Sequence, residues 1–493
     1  MLPDLLQYFS DINKIKICLI SNKYLKDNQE IYFKNISHIQ KILYNKLFIH
    51  IVNFDLSKIK NYRRTNKIVI IKNTSHLYNL KNFNEEYINL IKDYLVFFNK
   101  YSFVGSNFDN AICIYMLQIN FKKMNNLKKL ISNSSALTNI NNLTKLKTLV
   151  CSGYSSINQK GISKLTNLKF LDASENHKID NINHLQKLKY LYSSKYSSIN
   201  QKGISKLSNI VLFDCSHNDN INNLTHMVKL KILDASFNSL SDNGISKLKK
   251  LRKLIINGND NIFNINNFKN LKELEMNFNK EIDQKDIYDL HKIIYFDCSD
   301  NKKIYDISKM TNLRYLSCSN SIINQKSLDQ LNKLTFLNCS YNSEIYNVNN
   351  LTVLEKLICS NSTLNQNGIN NLTNITSLSC SLNKNITNLN HMTKLIELKC
   401  VNTCINQNGI KNLTNLEILY CSDNKYINDV NHLQKLKILA CRNKSGVNQN
   451  GIINLTNLEI LNCSDNKKIK NIDHMLKLSK TSYIKNSGIN IFN

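Results

Sequence analysis

Cysteine and histidine are the residues in this sequence best suited to ligate a metal or to act as a nucleophile and its base, and both recur at fixed intervals. Eleven of the 14 cysteines are separated by steps of 20 to 22 residues or by sums of such steps, and five of the 11 histidines form a second column. The two columns are Cys151, Cys215, Cys298, Cys318, Cys339, Cys359, Cys380, Cys400, Cys421, Cys441 and Cys463, and His184, His226, His391, His432 and His474. A zinc site needs ligands that converge on one point, whereas one residue per period along a chain forms a line. We therefore expect no metal, no cofactor, and buried, inert thiols.

The sequence also lacks the other common patterns of catalysis. Its 11 glycines are isolated, so no GxGxxG or GxxxxGK[ST] loop is available to hold a phosphate. No nucleophile stands with its base, and no element carries paired carboxylates. We expect a protein that is not an enzyme.

The cysteines and histidines lie on secondary-structure elements that follow a sequence repeat. The repeat is L-x-x-L-x-C-S-x-N, as in Leu416, Leu419, Cys421 and Asn424. Its sixth position falls at residues 151, 173, 193, 215, 235, 256, 276, 298, 318, 339, 359, 380, 400, 421, 441, 463 and 483, with a weak copy near Ser132. This pattern resembles the leucine-rich repeat, in which each copy supplies a short strand, a turn and a return segment. The resemblance implies an α/β fold: a horseshoe-shaped solenoid of about 17–18 repeats over residues 127–493, with a parallel sheet on its concave face.

Two classes of copy alternate, with steps of 20 and of 21–22 residues. The longer class contains an Asn-Gln-x-Gly-Ile motif, as at residues 158–162 and 365–369. In that class the apolar residues Ile410, Leu413 and Leu416 have a three-residue spacing, which favours a short helix on the convex side. Asn at the ninth position can bond the backbone of the turn, since its side chain both donates and accepts.

Side chains at the third and fifth positions flank the buried leucine of each strand and should face outward. In the first half of the solenoid many of them are aromatic or acidic. We predict that these residues bind a protein partner: Phe170, Asp172, Tyr190, Tyr192, Asp214, Asp234, Glu275, Tyr295, Asp297, Tyr315 and Phe336. The alternative is that the polar members only keep a solvated strand face soluble.

Residues 1–44 begin with Leu2-Pro3-Asp4-Leu5-Leu6 and continue with residues 13–24, NKIKICLISNKY. This segment resembles the F-box, a compact helical motif, and it precedes leucine-rich repeats as in a familiar domain order. The resemblance implies docking to a Skp1-like adaptor of a cullin-type (SCF) ubiquitin ligase. The implied docking residues are Leu2, Pro3, Leu5, Leu6, Ile15, Ile17, Ile20 and Tyr24. An ordinary helical cap is the alternative.

Residues 45–126 lie between the F-box-like segment and the clear repeats. They contain a strand-like stretch at 67–72 and a helix-like period at 87–95. Degenerate repeats and a cap over the first strand both fit, because an uncapped solenoid exposes its core.

The net charge of +29 comes from 65 Lys and Arg against 36 Asp and Glu. Lys, Asn and Ile are all abundant and all have AT-rich codons, so we attribute the lysine excess to base composition and expect no nucleic-acid partner.

No run of 18 apolar residues and no signal peptide is present, which favours an intracellular protein, in the cytoplasm or nucleus, without a membrane partner. The layout resembles F-box and leucine-rich-repeat proteins of AT-rich protists and of giant viruses that infect amoebae, and such a virus would place the protein in a host cell. The predicted function is a substrate receptor of a ubiquitin ligase, with a repeat scaffold lacking any ubiquitin link as the alternative.

Overall fold

The computed structural model describes residues 126–132, 137–153 and 155–479, and the backbone of four short strands before residue 126. The chain divides into two compact units, Met1–Asp234 and Ala235–Asn493. The strands of the first unit are β1 Ile17–Cys18, β2 Ile49–His50, β3 Val96–Phe98, β4 Asn110–Ile114, β5 Lys129–Ser132, β6 Thr148–Val150, β7 Phe170–Asp172, β8 Tyr190–Tyr192, β9 Leu212–Asp214 and β10 Ile232–Asp234. Those of the second are β11 Lys253–Ile255, β12 Glu273–Glu275, β13 Tyr295–Asp297, β14 Tyr315–Ser317, β15 Phe336–Asn338, β16 Lys356–Ile358, β17 Ser377–Ser379, β18 Glu397–Lys399, β19 Ile418–Tyr420, β20 Ile438–Ala440 and β21 Ile460–Asn462.

Within each unit the strands form a parallel sheet in chain order. β3 to β10 pair consecutively in the first unit, and β11 to β21 do so in the second. From β5 onward the register places the third, fourth and fifth positions of each repeat opposite the same positions of the next; Leu171, for example, pairs with Leu191. One strand per 20–22 residues is the leucine-rich-repeat solenoid predicted from the sequence, and that prediction is confirmed.

The core of each turn is formed by the periodic leucines and isoleucines together with the sixth position. Leu168, Leu171 and Ala173 are fully buried, as are their equivalents along the chain. Because the fourth position points inward, its neighbours at the third and fifth positions lie on the opposite face of the sheet. This face, made by the third- and fifth-position side chains, is called the sheet face below.

The asparagine at the ninth position joins successive turns. Asn176 donates from Nδ2 to the carbonyls of Cys151 and Ile157, at 2.8 and 3.2 Å, and its Oδ1 accepts from the backbone N–H of Lys178 at 2.9 Å. The same side chain bonds an earlier turn at Asn218, Asn259, Asn279, Asn301, Asn342, Asn383, Asn424 and Asn466. The buried backbone is thereby satisfied away from water, as the sequence predicted.

The Asn-Gln-x-Gly-Ile motif forms a one-turn helix, and its glutamine hydrogen-bonds the backbone of the next repeat. In α1 (Gln159–Ile162), Asn158 caps the helix by accepting from Gly161 N–H at 3.0 Å. The Gln159 side chain accepts from the backbone N–H of Asn181 at 3.0 Å and donates to its carbonyl at 2.6 Å. A Cβ on Gly161 would stand 1.9 Å from the carbonyl oxygen of Thr138, so only glycine allows this approach. The helix lies earlier than predicted: of Ile410, Leu413 and Leu416, only Ile410 is helical, and the segment after it forms turns.

Equivalent elements recur through both units. They are α2 Gln201–Ile204, α3 Asp242–Ile245 and α4 Gln325–Leu328, and the 3₁₀ helices Gln284–Asp286, Gln366–Ile369, Asn408–Ile410 and Asn450–Ile452. Among the described residues no helix combines the length and apolar composition needed to cross a bilayer.

The amino-terminal region is described only at four strands. β3 and β4 continue the parallel sheet ahead of residue 127, which favours degenerate repeats for that part of residues 45–126. β1 pairs with β2, with Ile17 opposite Ile49. The F-box resemblance implied a helix at Ile17–Cys18, and there the structure has a strand instead. The alternation of Ile15, Ile17 and Leu19 with polar or small residues favours that strand.

Candidate interaction surface

In the first unit, two of the predicted binding residues are not displayed. The relative solvent exposure of Phe170 is only 7%, and that of Asp172 is only 5%. Phe170 packs against Val150, and its ring centroid lies 5.4 Å from that of Tyr192. Phe170, at a third position, thus contacts fifth-position side chains on both neighbouring strands, a diagonal contact that the repeat period alone does not reveal. Phe170 and Asp172 are thus buried rather than displayed, and their predicted binding role stays a prediction.

The other predicted residues of the first unit are partly accessible. Tyr190 is 42% exposed, while Tyr192, Asp214 and Asp234 are half-buried. Asp214 accepts hydrogen bonds from both the backbone N–H and the hydroxyl of Ser216, at 3.0 and 2.7 Å. Burial raises the pKa of the Asp214 carboxyl above its usual value, and the Ser216 hydrogen bonds oppose that rise. This carboxylate already has partners within its own repeat.

The second unit carries a continuous aromatic stack on its sheet face. The rings of Tyr295 and Tyr315 lie 4.0 Å apart at 6°, and those of Tyr315 and Phe336 lie 4.1 Å apart at 5°. In-register pairing of β13, β14 and β15 places the three third-position side chains one strand spacing apart. Burial and a hydrogen bond to Tyr315 hold the pKa of Tyr295 well above its usual value, so both phenols are neutral. All three rings remain half-exposed.

Carboxylates lie beside this stack. Lys253 bonds Glu275 at 3.0 Å and Glu273 at 3.2 Å, and its ammonium lies 5.7 Å from the Tyr295 ring centroid. Its pKa is raised by Glu275 and Glu273, although burial acts in the opposite direction as the largest single influence. Asp297 accepts from the backbone N–H and hydroxyl of Ser299 and from Asn277 Nδ2. Glu275, Tyr295, Asp297, Tyr315 and Phe336 are thus brought together as the sequence predicted.

A second apolar group on the same sheet face was missed by the sequence reasoning. Ile418, Ile438 and Ile460 are paired third-position residues of β19, β20 and β21, and each is half-exposed. Tyr420 adjoins them at a fifth position, with the ammonium of Lys399 5.5 Å from its ring centroid. The signal was available: three β-branched residues occupy the column in which the aromatic residues stand.

The cysteine column is buried as predicted. All eleven thiols are fully buried, and Cys404, outside the column, is half-buried. Burial raises the pKa of Cys339, Cys380 and Cys421 to about 12, so these thiols stay protonated. Within the described part of the chain, no group of three or more His, Cys, Asp or Glu side chains is arranged to hold a metal.

The histidine column has a structural role. Nε2 of His391 lies 2.9 Å from the carbonyl oxygen of Ile369, at the end of the preceding 3₁₀ helix, and the same contact recurs at 3.0–3.1 Å for His184, His226, His432 and His474. A carbonyl only accepts, so Nε2 carries the proton. Each of these histidines lies in a turn and has a specific backbone partner.

Of the implied adaptor-binding residues, Leu2, Pro3, Leu5, Leu6, Ile15, Ile20 and Tyr24 lie outside the described residues. Ile17 is described only as part of β1.

No protein-family model matches this chain, and no curated protein matches it. Solved structures with a similar fold include the functional domain of InlJ from Listeria monocytogenes, described as including a cysteine ladder, at 26% identity over 68% of this chain and 71% of that chain, with a TM-score of 0.48. A leucine-rich-repeat protein of Leptospira interrogans is 20% identical over 72% of this chain and 90% of that chain, with a TM-score of 0.45. A complex of TLR13 with single-stranded RNA is 17% identical over 90% and 80%, with a TM-score of 0.47. The parallel pairing of one strand per repeat, described above, shows the solenoid fold independently of these similarities.

Proposed function

We propose that this chain is a non-catalytic substrate receptor of a cullin-type ubiquitin ligase. In this proposal residues 1–44 dock a Skp1-like adaptor, and the sheet face binds the protein to be modified. The protein acts inside a cell, where the adaptor is found and where free thiols remain reduced.

The observation that carries the binding half of the proposal is the stack of Tyr295, Tyr315 and Phe336 beside carboxylates. Half-exposed aromatic rings held rigidly by a sheet are typical of protein-binding surfaces. The carboxylates repel phosphates, which argues against nucleic acid at this face. The adaptor half is supported by the F-box resemblance of residues 2–24 and by its place ahead of leucine-rich repeats.

The experiment is calorimetric titration of the full chain with a purified Skp1-like adaptor. Wild type should bind, and Leu5→Asp should abolish binding while leaving the thermal melting of the repeats unchanged. Leu476→Asp, at a leucine that is 90% exposed, is the matched control and should bind like wild type. Absence of binding by the wild-type chain would refute the ubiquitin link.

A repeat scaffold with no ubiquitin link is the second candidate, and the pairing of β1 with β2 favours it. The strand at Ile17–Cys18 departs from the helix that the F-box resemblance implies. Under this alternative Leu5→Asp lowers the melting temperature of the repeats, because a cap covers the first turns of the solenoid.

A further inference from the structure

The sheet face of the second unit is not uniform, and its composition changes along the strand order. The third and fifth positions of β11–β15, here the acidic aromatic patch, contain three carboxylates (Glu273, Glu275 and Asp297) and one ammonium (Lys253), a net charge of −2. The same positions of β19–β21, here the isoleucine patch, contain Ile418, Tyr420, Ile438, Ala440, Ile460 and Asn462, none of which is charged. The acidic aromatic patch is therefore negatively charged, whereas the whole chain has a net charge of +29.

Two ion pairs lie at the margin of the isoleucine patch. Lys399 bonds Glu397 at 2.9 Å, and Lys437 bonds Glu417 at 2.7 Å. An apolar centre with ion pairs at its polar margin has the composition of a protein-binding interface rather than of a phosphate-binding one.

The two patches are separated by β16–β18, whose outward side chains are polar except for Ile358. Lys356, Ser377, Ser379 and Glu397 are among the third- and fifth-position residues of β16–β18. From Tyr315 on β14 to Ile438 on β20 is six strand steps, or about 28 Å along the sheet at 4.7–4.9 Å per step. An extended peptide of about nine residues covers that distance at about 3.3 Å per residue.

We propose that the sheet face of the second unit is a bipartite docking site for one extended segment of a partner protein, with basic side chains at one end and aliphatic side chains at the other. The basic end meets Glu275 and Asp297 beside the aromatic stack, and the aliphatic end covers Ile418, Ile438 and Ile460. This inference deepens the proposed function, on which it rests, by giving the target segment its chemistry and by moving the binding site away from Phe170 and Asp172.

Charge complementarity is the argument for this occupant. On the sheet face of the second unit, carboxylates outnumber ammonium groups only at the acidic aromatic patch, so a cationic segment is attracted to that end of the face. Stacking occupies both faces of Tyr315 and one face each of Tyr295 and Phe336, and the ammonium of Lys253 lies near the Tyr295 ring. The attraction for a basic side chain therefore comes mainly from the carboxylates, while the rings supply apolar contact.

The test uses two fluorescent synthetic peptides of about 14 residues, somewhat longer than the calculated span. The block peptide groups its lysines at one end and its leucines at the other; the mixed peptide has the same composition in alternation. Anisotropy titrations with the full chain at physiological salt should show the block peptide binding about tenfold more tightly than the mixed one, since only the block peptide satisfies both patches.

Two variants locate the binding, each with a matched control. Glu275→Gln combined with Asp297→Asn, and separately Ile438→Thr, should each weaken block-peptide binding by about tenfold. Glu344→Gln and Ile453→Thr alter an exposed carboxylate and an exposed isoleucine away from the sheet face and should bind like wild type.

Melting curves show whether each variant folds, and Asp297→Asn alone, which keeps the acceptor for Ser299, serves if the double variant does not. Equal binding of the two peptides, or equal losses in the face variants and the controls, overturns the proposal. Neither result involves the adaptor, so failure of the docking site and failure of the ubiquitin link are separate outcomes.

Discussion

Tyr295 and Tyr315 stack face to face, with ring centroids 4.0 Å apart and planes within 6° of parallel. The stack follows from strand register, because Tyr295 on β13 pairs with Tyr315 on β14 and both point away from the core. A solenoid that repeats the same register at every turn can therefore build a rigid aromatic surface from one residue per repeat.

Removing the middle ring should destabilise the second unit modestly. Tyr315→Ala deletes two aromatic contacts, and we expect a loss of about 2 kcal/mol in the free energy of unfolding. Tyr346→Ala, at a tyrosine that is 55% exposed, is the control and should change stability by less than about 0.5 kcal/mol. Urea denaturation of both variants measures the difference, and equal effects would show that the stack contributes nothing.

The buried thiols should not react with a polar alkylating reagent in the native protein. Burial raises the pKa of Cys380 to about 12, so little thiolate exists at neutral pH. Mass spectrometry after brief native labelling should find Cys404 modified before any cysteine of the column, and full modification after denaturation. Rapid native labelling of Cys318, Cys339 or Cys359 would contradict the assigned burial.

The same column gives a stability test. Cys380→Ala should cost about 1 kcal/mol through lost packing, whereas Cys380→Asp buries an unpaired charge and should unfold neighbouring turns. Circular dichroism melts of the two variants distinguish these outcomes, and a stable Cys380→Asp variant would place that side chain outside the core.

Replacing a buried ninth-position asparagine should lower the free energy of unfolding far more than replacing an exposed asparagine. Asn301 donates from Nδ2 to the carbonyls of Asn279 and Ile282, both at 3.1 Å. Asn301→Ala leaves these buried acceptors without that donor and should cost about 2–4 kcal/mol. The exposed Asn312 only accepts from Lys333, so Asn312→Ala should be nearly neutral in the same denaturation experiment.

His391 predicts a pH dependence with a definite sign. Burial lowers its pKa below the usual 6.5, while the hydrogen bond to Ile369 opposes that change. The folded protein thus binds fewer protons at this site than the unfolded chain, so the contribution of His391 to stability is complete above pH 6.5 and is lost as pH falls through the lowered pKa. His391→Gln should narrow the difference in melting temperature between pH 7.5 and pH 5.5, and an unchanged or wider difference would contradict this account.

The repeat could be predicted from the sequence because its leucines, cysteines and asparagines are buried at the same positions of every turn, so the same residue types recur at those positions. Periodicity also identified Tyr295, Tyr315 and Phe336 as neighbours, since a fixed period brings equal positions together. It did not reveal that Phe170 is covered by Val150, because such packing depends on which side chains meet across strands. The backbone clamp of Gln159 was missed for the same reason: its partners lie 21 and 22 residues away.

The central claim is that the sheet face of the second unit binds a protein, and site-specific photocrosslinking in the cells that make this chain tests it most directly. A benzophenone amino acid is placed at Tyr315 or Ile438 on the face, and at Tyr346 or Ile453 on the return segments. The account predicts one common protein adduct at Tyr315 and Ile438 and none at Tyr346 and Ile453. Adducts confined to Tyr346 or Ile453, or their complete absence at Tyr315 and Ile438, would contradict it.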